Sequence, residues 1–195
     1  MSSKINYEQF KIVLCRTSHP GNIGSTARAI KTMGFTHLTL VNPKQFPHAD
    51  ANALAAGAED ILANATIVSA IEDALKDCHL IIGFTARQRE LSQEHKNIRE
   101  IAKGLKSESH SKKIALLFGN ETSGLSNDEI KHCQVLGYIN SNANYSSLNL
   151  AQAVQIICYE IRMQLTEGNE IIQLSKENEL VTHEVQNGFY LHLER

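Results

Sequence analysis

Six short runs of apolar residues, each four to six residues long, constrain the fold of this chain more than any other feature. They occupy residues 11–15, 38–41, 66–69, 80–85, 114–118 and 135–139. Helical spacing of apolar side chains follows each of them, over residues 22–33, 50–63, 71–76, 97–106, 127–133 and 147–165. Strands this short, alternating with helices, predict an α/β domain whose mostly parallel sheet is flanked by helices.

The position of a functional site follows from this architecture. In sheets of this kind, ligands bind beyond the carboxyl ends of the strands. The loops that follow Cys15, Phe84, Phe118 and Ile139 are therefore the places where we expect a site. The polar segment around residues 87–89 is interpreted as one of these loops.

The composition fits one soluble domain, since 42% of the 195 residues are hydrophobic and the mean hydropathy is −0.24. No apolar stretch reaches the roughly 18 residues that cross a membrane, and the polar N-terminus lacks a signal core. The sequence therefore predicts a cytoplasmic protein without a membrane partner. The four cysteines lie in or beside apolar runs, which predicts buried free thiols, and the nine histidines show no zinc-type spacing, so no metal is expected.

The charge balance by itself does not suggest a nucleic-acid ligand. The chain has 19 basic and 21 acidic residues, a net charge of −2, whereas binding of a phosphate backbone usually leaves a basic footprint. An RNA substrate would require a local basic patch, a groove between two subunits or a further segment.

Residues 19–28 form the first of three small, polar loops that follow predicted strands. Gly21 and Gly24 permit a tight backbone turn, and Asn22 is a candidate cap for the next helix. Arg28 lies at the edge of the apolar stripe of that helix, where it reaches solvent. From residue types alone, a capped helix with a surface arginine is the favoured explanation of these residues. The loop has neither the GxGxxG pattern of dinucleotide sites nor the lysine of a P-loop.

The second loop, residues 119–125, and the third, residues 144–150, have the same character. Glu121 stands between two glycines after a buried strand, where it can accept hydrogen bonds from a ligand. Ser146 or Ser147 is a candidate N-cap for the last helix. Asn149 is then a poor helix former in the first turn, which a plain cap does not explain.

Together and in this order, residues 22–28 (NIGSTAR), 118–125 (FGNETSGL) and 145–151 (YSSLNLA) resemble the three motifs of the SpoU/TrmH RNA ribose methyltransferases, in the SPOUT superfamily. The flanking residues 17–22 and 145–155 are most similar to the TrmJ branch, which modifies tRNA. The resemblance extends over residues 10–165, with the motifs correctly spaced.

The resemblance implies a fold with a deep C-terminal trefoil knot, an exception to the rule that chains avoid threading. It also implies that S-adenosylmethionine binds between three loops and leaves as S-adenosylhomocysteine. Matched by position, the cofactor-binding residues are Phe84, Thr85, Ala86, Gly119, Asn120, Glu121, Ile139, Ser146, Ser147, Leu148 and Asn149.

The same resemblance implies a homodimer in which Arg28 of one subunit serves the cofactor of the other. The expected substrate is a tRNA, methylated on the ribose 2′-hydroxyl of the cytidine or uridine at nucleotide 32. The expected catalytic residues are Arg28, Asn22, Glu121, Ser147 and Asn149. Because a guanidinium is effectively always protonated, we expect Arg28 to hold a phosphate and stabilise the developing alkoxide, although a role as literal base stays open.

Some features depart from the family pattern. Phe84 stands where a small polar residue is expected, and Arg16 replaces a glutamate and adds positive charge on the RNA side. The domain is expected over residues 1–167, followed at 168–195 by a linker and the beginning of a truncated helical extension. Three alternatives remain, namely an idle RNA-binding module of this fold, a SPOUT enzyme with another RNA target, and a nucleotide-binding oxidoreductase.

Overall fold

A computed structural model describes residues 7–86, 94–106, 112–166 and 192 of the chain. A short 3-10 turn, Tyr7–Gln9, precedes the first strand. The strands of the described part are β1 (Phe10–Cys15), β2 (His37–Val41), β3 (Thr66–Val68), β4 (Leu80–Phe84), β5 (Glu94–Asn97), β6 (Ile114–Phe118) and β7 (Val135–Tyr138). Its helices are α1 (Pro20–Thr32), α2 (Ala49–Ala55), α3 (Glu59–Ala63), α4 (Ile71–Leu75), α5 (Ile98–Lys106), α6 (Asn127–Ile130) and α7 (Leu150–Leu165).

The seven strands form one sheet in the order β3-β2-β1-β6-β4-β7-β5, and every neighbouring pair is parallel. β1 and β6 lie inside the sheet, and all five residues of β6 are buried. Strands inside a parallel sheet consist of continuous apolar residues because helices cover both faces of the sheet. The predicted α/β class, with a parallel sheet flanked by helices, is confirmed.

Two apolar clusters lie on the two faces of the sheet. The larger one joins the sheet to α1 and α7 through Ile30, Ile157 and Ile161, and the smaller one contains Cys15 and Cys133. All four cysteines are free, and three of them are buried, which confirms the prediction for the thiols while Cys78 is half-buried. Burial raises the pKa of the Cys133 thiol to about 12, so that it stays protonated and unreactive.

The structure differs most from the predicted elements at residues 50–63 and 94–97. The helix expected over residues 50–63 is two helices, because Ala56 and Gly57 adopt positive φ angles of 44° and 89° that end α2. The apolar runs predict no strand at residues 94–97, yet β5 pairs there with β7 at the edge of the sheet. A polar edge strand has one unpaired side and no apolar run, so the apolar pattern did not indicate it.

The caps of α1 and α7 also differ from expectation. α1 begins at Pro20 with His19 as N-cap, so Asn22 lies in the first turn and does not cap the helix. α7 begins at Leu150, and Asn149 is its N-cap, since its Oδ1 accepts hydrogen bonds from the N–H of Ala151 at 2.9 Å and the N–H of Gln152 at 3.4 Å. Ser146 and Ser147 are therefore not caps, and the position of Asn149 has a plain structural reason.

Several expectations fall outside the described residues. The loop containing Arg87 and Arg89 is one of them, and residues 168–195 are described only at position 192. The division into a domain over residues 1–167 and a linker with the start of a helical extension stays a prediction, as does the knot. Within the described part of the chain, no helix has the length and apolarity needed to cross a membrane.

Candidate active site

A pocket lies beyond the carboxyl ends of β4, β6 and β7, where the sheet topology brings three loops together. Every residue expected to hold the cofactor lines it except Asn149, namely Phe84, Thr85, Ala86, Gly119, Asn120, Glu121, Ile139, Ser146, Ser147 and Leu148. The structure thus gathers side chains that are more than 60 residues apart in sequence into one cavity.

The pocket also contains residues that the sequence reasoning missed. They comprise apolar residues of the strands and of α7, together with the rest of the 119–124 loop. These additional lining residues are Phe118, Thr122, Ser123, Gly124, Gly137, Tyr138, Leu150, Ala153 and Ile157. Phe118 and Leu150 stood inside the quoted motifs. Ala153 and Ile157 follow Leu150 at the i+3 and i+7 positions of α7, a helical spacing that indicates a shared face but not which neighbour it meets.

Gly119 fixes the shape of the 119–124 loop. A Cβ atom on Gly119 would lie 2.1 Å from the carbonyl carbon of Gly124 and 2.1 Å from the backbone nitrogen of Leu125. The loop closes on itself through a hydrogen bond of 2.8 Å from the N–H of Gly124 to the carbonyl oxygen of Asn120. Only a residue without a side chain permits this close approach of two backbone segments.

Glu121 is held in its place by donors from the loop after β1. Its carboxylate accepts hydrogen bonds from the N–H of Ser18 at 2.9 Å, the N–H of His19 at 3.1 Å and the side-chain amide of Asn22 at 3.0 Å. Burial opposes ionisation, but these hydrogen bonds outweigh it and hold the pKa of Glu121 below its ordinary value. Glu121 is therefore an anion at neutral pH, and its oxygens serve to shape the loops.

Asn22 connects Glu121 to the third motif. Besides donating to Glu121, Asn22 accepts a hydrogen bond of 2.9 Å at its Oδ1 from the Nδ2 of Asn149. The three motifs are therefore joined in one chain of hydrogen bonds, from Glu121 through Asn22 to Asn149. Two amides and a carboxylate with matched donors and acceptors form a rigid network, because each group has its partner.

Arg28 is not brought to this pocket within one chain. It lies six residues after Asn22 on α1, about 9 Å further along the helix axis at 1.5 Å per residue. Its side chain is exposed and does not line the pocket, and within the described part of the chain it makes no hydrogen bond or ion pair. The guanidinium is thus free to contact another molecule.

Phe84 and Arg16, the two departures from the family pattern, both make defined side-chain contacts. Phe84 is buried and stacks on Phe118, with ring centroids 5.2 Å apart, as part of the pocket wall. Arg16 donates two hydrogen bonds to the carboxylate of Glu129, at 2.7 and 2.8 Å. The expectation that Arg16 adds positive charge on the RNA side was wrong, because this half-buried ion pair compensates its charge.

Among the described residues, no group of three or more acidic, histidine or cysteine side chains is placed to hold a metal ion.

The comparison with protein families decides the family. The model of the SpoU rRNA Methylase family matches residues 9–159, which include all three motifs and the pocket. This chain is a SpoU methylase. The SpoU methylase is 46% identical over 193 residues to the tRNA (cytidine/uridine-2′-O-)-methyltransferase TrmJ of Klebsiella pneumoniae, an alignment covering 96% of this chain and 78% of that protein.

Solved structures agree with the assignment. The SpoU methylase is similar, with a TM-score of 0.79 and 43% identity, to a probable methylase family protein from Haemophilus influenzae, over 97% of this chain and 79% of that one. It is also similar to TrmJ from Z. mobilis, with a TM-score of 0.75 and 28% identity, over 94% of this chain and 77% of that one. A methyltransferase of the SPOUT class, as the sequence predicted, is therefore established.

Proposed function

We propose that this SpoU methylase transfers the methyl group of S-adenosylmethionine to a ribose 2′-hydroxyl of tRNA, at cytidine or uridine 32 in the anticodon loop. The observation that carries the proposal is the hydrogen-bonded chain from Glu121 through Asn22 to Asn149, which joins the three family motifs at the pocket. The names of its relatives support tRNA as the substrate.

The pocket fits the cofactor by the chemistry of its lining. An adenosine needs an apolar slot with a few hydrogen-bonding groups at its rim, and the pocket offers Phe84, Phe118 and Ile157 beside polar Thr85 and Ser146. When bound, S-adenosylmethionine supplies an electrophilic methyl group and leaves as S-adenosylhomocysteine. Its positive sulfonium is compatible with a pocket whose described rim carries the ionised carboxylate of Glu121.

The chemistry then requires the protein to hold the hydroxyl in line and to stabilise the charge that develops on its oxygen. Ser147 lines the pocket and has no hydrogen-bond partner within the described residues, so its hydroxyl is available to the ribose. Asn22 and Asn149 hold the neighbouring loops in register. Arg28 supplies a planar donor group that suits phosphate, and the proton passes to a phosphate oxygen or to water.

A second copy of the chain completes the site in this proposal. Tyr159 and Met163, 49% and 44% exposed, share one face of α7 with the half-buried Ile156. This face borders the exposed face of α1, since Thr32, one turn after Arg28, hydrogen-bonds Gln155 of α7 at 3.4 Å. An isologous dimer through these helices buries the apolar residues and brings Arg28 to the pocket of the other subunit.

The direct test is methylation of bulk tRNA with labelled S-adenosylmethionine, followed by mapping of the modified nucleotide. We expect one 2′-O-methylated cytidine or uridine in the anticodon loop, and calorimetric binding of S-adenosylmethionine but not of NAD. Binding without turnover would favour an idle RNA-binding module. Binding of NAD alone would favour an oxidoreductase, and a label in rRNA but not in tRNA would contradict the substrate.

A further inference from the structure

A second cleft adjoins the candidate active site on the other side of the 119–124 loop. Its lining comprises Arg16, Asn42, Pro43, Lys44, Asn120 and Ser123. Asn120 and Ser123 also line the pocket, so one loop separates the two depressions. A long ligand whose reacting group lies in the pocket can therefore continue directly into this cleft.

Backbone contacts fix the position of Lys44 relative to the active site. The N–H of Lys44 donates to the carbonyl oxygen of Thr17 at 3.0 Å. The N–H of Ser18, the residue after Thr17, donates to the carboxylate of Glu121 at 2.9 Å. Arg16 and Asn42, at the ends of β1 and β2, both adopt positive φ angles, 54° and 47°. Residues of both loops line the cleft beside the 119–124 loop.

Lys44 differs from most cations of the described chain because no carboxylate compensates its charge. Its side chain is exposed and makes no hydrogen bond or ion pair within the described residues. By contrast, carboxylates pair with Lys11, Arg16, Lys31, Lys96, Arg99, Lys113 and Lys131. The side-chain amide of Asn42, on the same wall of the cleft, also has no partner within the described residues.

We propose that Lys44 and Asn42 bind a phosphate of the RNA strand beside the nucleotide that is methylated. One uncompensated ammonium and one free amide are suited to a singly charged phosphodiester, which accepts hydrogen bonds and carries no proton to donate. Because the net charge of −2 gives the chain no general attraction for RNA, an uncompensated cation on this edge favours contact with the strand there. The proposal rests on the proposed function, because it assumes that the substrate is RNA.

The test compares Lys44→Ala and Lys44→Glu with the matched pair Lys76→Ala and Lys76→Glu. Lys76 is also exposed and unpaired within the described residues. It is the C-cap of α4, shortly before the amino end of β4, whereas the cleft lies at the carboxyl ends of the strands. Binding of tRNA is measured by fluorescence anisotropy over a series of KCl concentrations. Affinity for S-adenosylmethionine and the single-turnover rate at saturating tRNA are measured on the same samples.

At low salt, we expect Lys44→Ala to weaken tRNA binding about fivefold to tenfold and Lys44→Glu to weaken it further. The slope of log affinity against log salt should become shallower by about 0.7, the value for one phosphate of a single strand. The affinity for S-adenosylmethionine and the rate at saturating tRNA should stay unchanged. The Lys76 variants should bind tRNA like the parent.

Lys44 variants that bind tRNA like the Lys76 variants, or that lose rate at saturating tRNA with unchanged binding, would overturn the proposal. Failure of the proposed function looks different. The parent would then bind tRNA but transfer no methyl group, while the anisotropy series still decides the role of Lys44. A parent that binds no tRNA at any salt concentration would overturn both.

Discussion

Replacement of Arg28 by alanine is expected to lower single-turnover methyl transfer to tRNA by about 10²–10³, which corresponds to about 3–4 kcal/mol. The reason is that, in the proposed site, the guanidinium contacts the phosphate and the developing alkoxide mostly in the transition state. Affinity for S-adenosylmethionine should barely change, because in the proposed site Arg28 contacts the RNA and not the cofactor. Calorimetry on the same preparation provides that control.

The lysine variant separates two roles for this residue. Arg28→Lys keeps the positive charge but loses the planar pair of donors, so we expect only part of the rate to return. The rate should not gain from raising the pH, since the ammonium is needed in its charged form. A literal base predicts the opposite, because an amine deprotonates more easily than a guanidinium. Our account would be contradicted if the methylation rate of the Arg28→Lys variant rose steadily from pH 7 and equalled that of the parent at pH 10.

Gly119→Ala is expected to destabilise the protein by about 2–4 kcal/mol and to weaken S-adenosylmethionine binding at least about tenfold. The added Cβ would lie 2.1 Å from backbone atoms of both Gly124 and Leu125, which cannot rotate away as a side chain does. The 119–124 loop must therefore open, and it forms one wall of the pocket. Urea unfolding and calorimetry measure the two effects.

Gly104→Ala is the matched control for this substitution. Gly104 lies inside α5, and a Cβ atom there would meet nothing within 4 Å. Alanine should stabilise the helix by about 0.5–1 kcal/mol and leave cofactor binding unchanged. If Gly119→Ala bound S-adenosylmethionine like Gly104→Ala, the close contact within the loop would not be what shapes the pocket.

The parallel sheet was predictable because its inner strands are buried on both faces. β6 is apolar at each of its five positions, and such a run has few alternative explanations. The edge strand β5 is polar, at residues 94–97, and nothing in its composition distinguishes it from a loop. The break between α2 and α3 depends on the backbone of Ala56, whose positive φ no alanine pattern indicates.

The site was predictable as a set of loops but not as a set of contacts. Resemblance to a family placed the three motifs, and the rule for parallel sheets placed them at one edge. The hydrogen bond between Asn22 and Asn149 joins residues 127 positions apart, and the ion pair of Arg16 with Glu129 spans 113 positions. Such pairs depend on the three-dimensional register of the loops, which residue spacing does not contain.

The pocket of one subunit and Arg28 of another are proposed to form a single methyl-transfer site for tRNA. Co-expression of Arg28→Ala with Glu121→Ala tests it most directly. Each variant alone should be nearly inactive, whereas a random mixture should regain about a quarter of the parental tRNA methylation, because half of its dimers carry one intact site of two. A mixture as inactive as its separate components, although mass analysis shows mixed dimers, would contradict the claim.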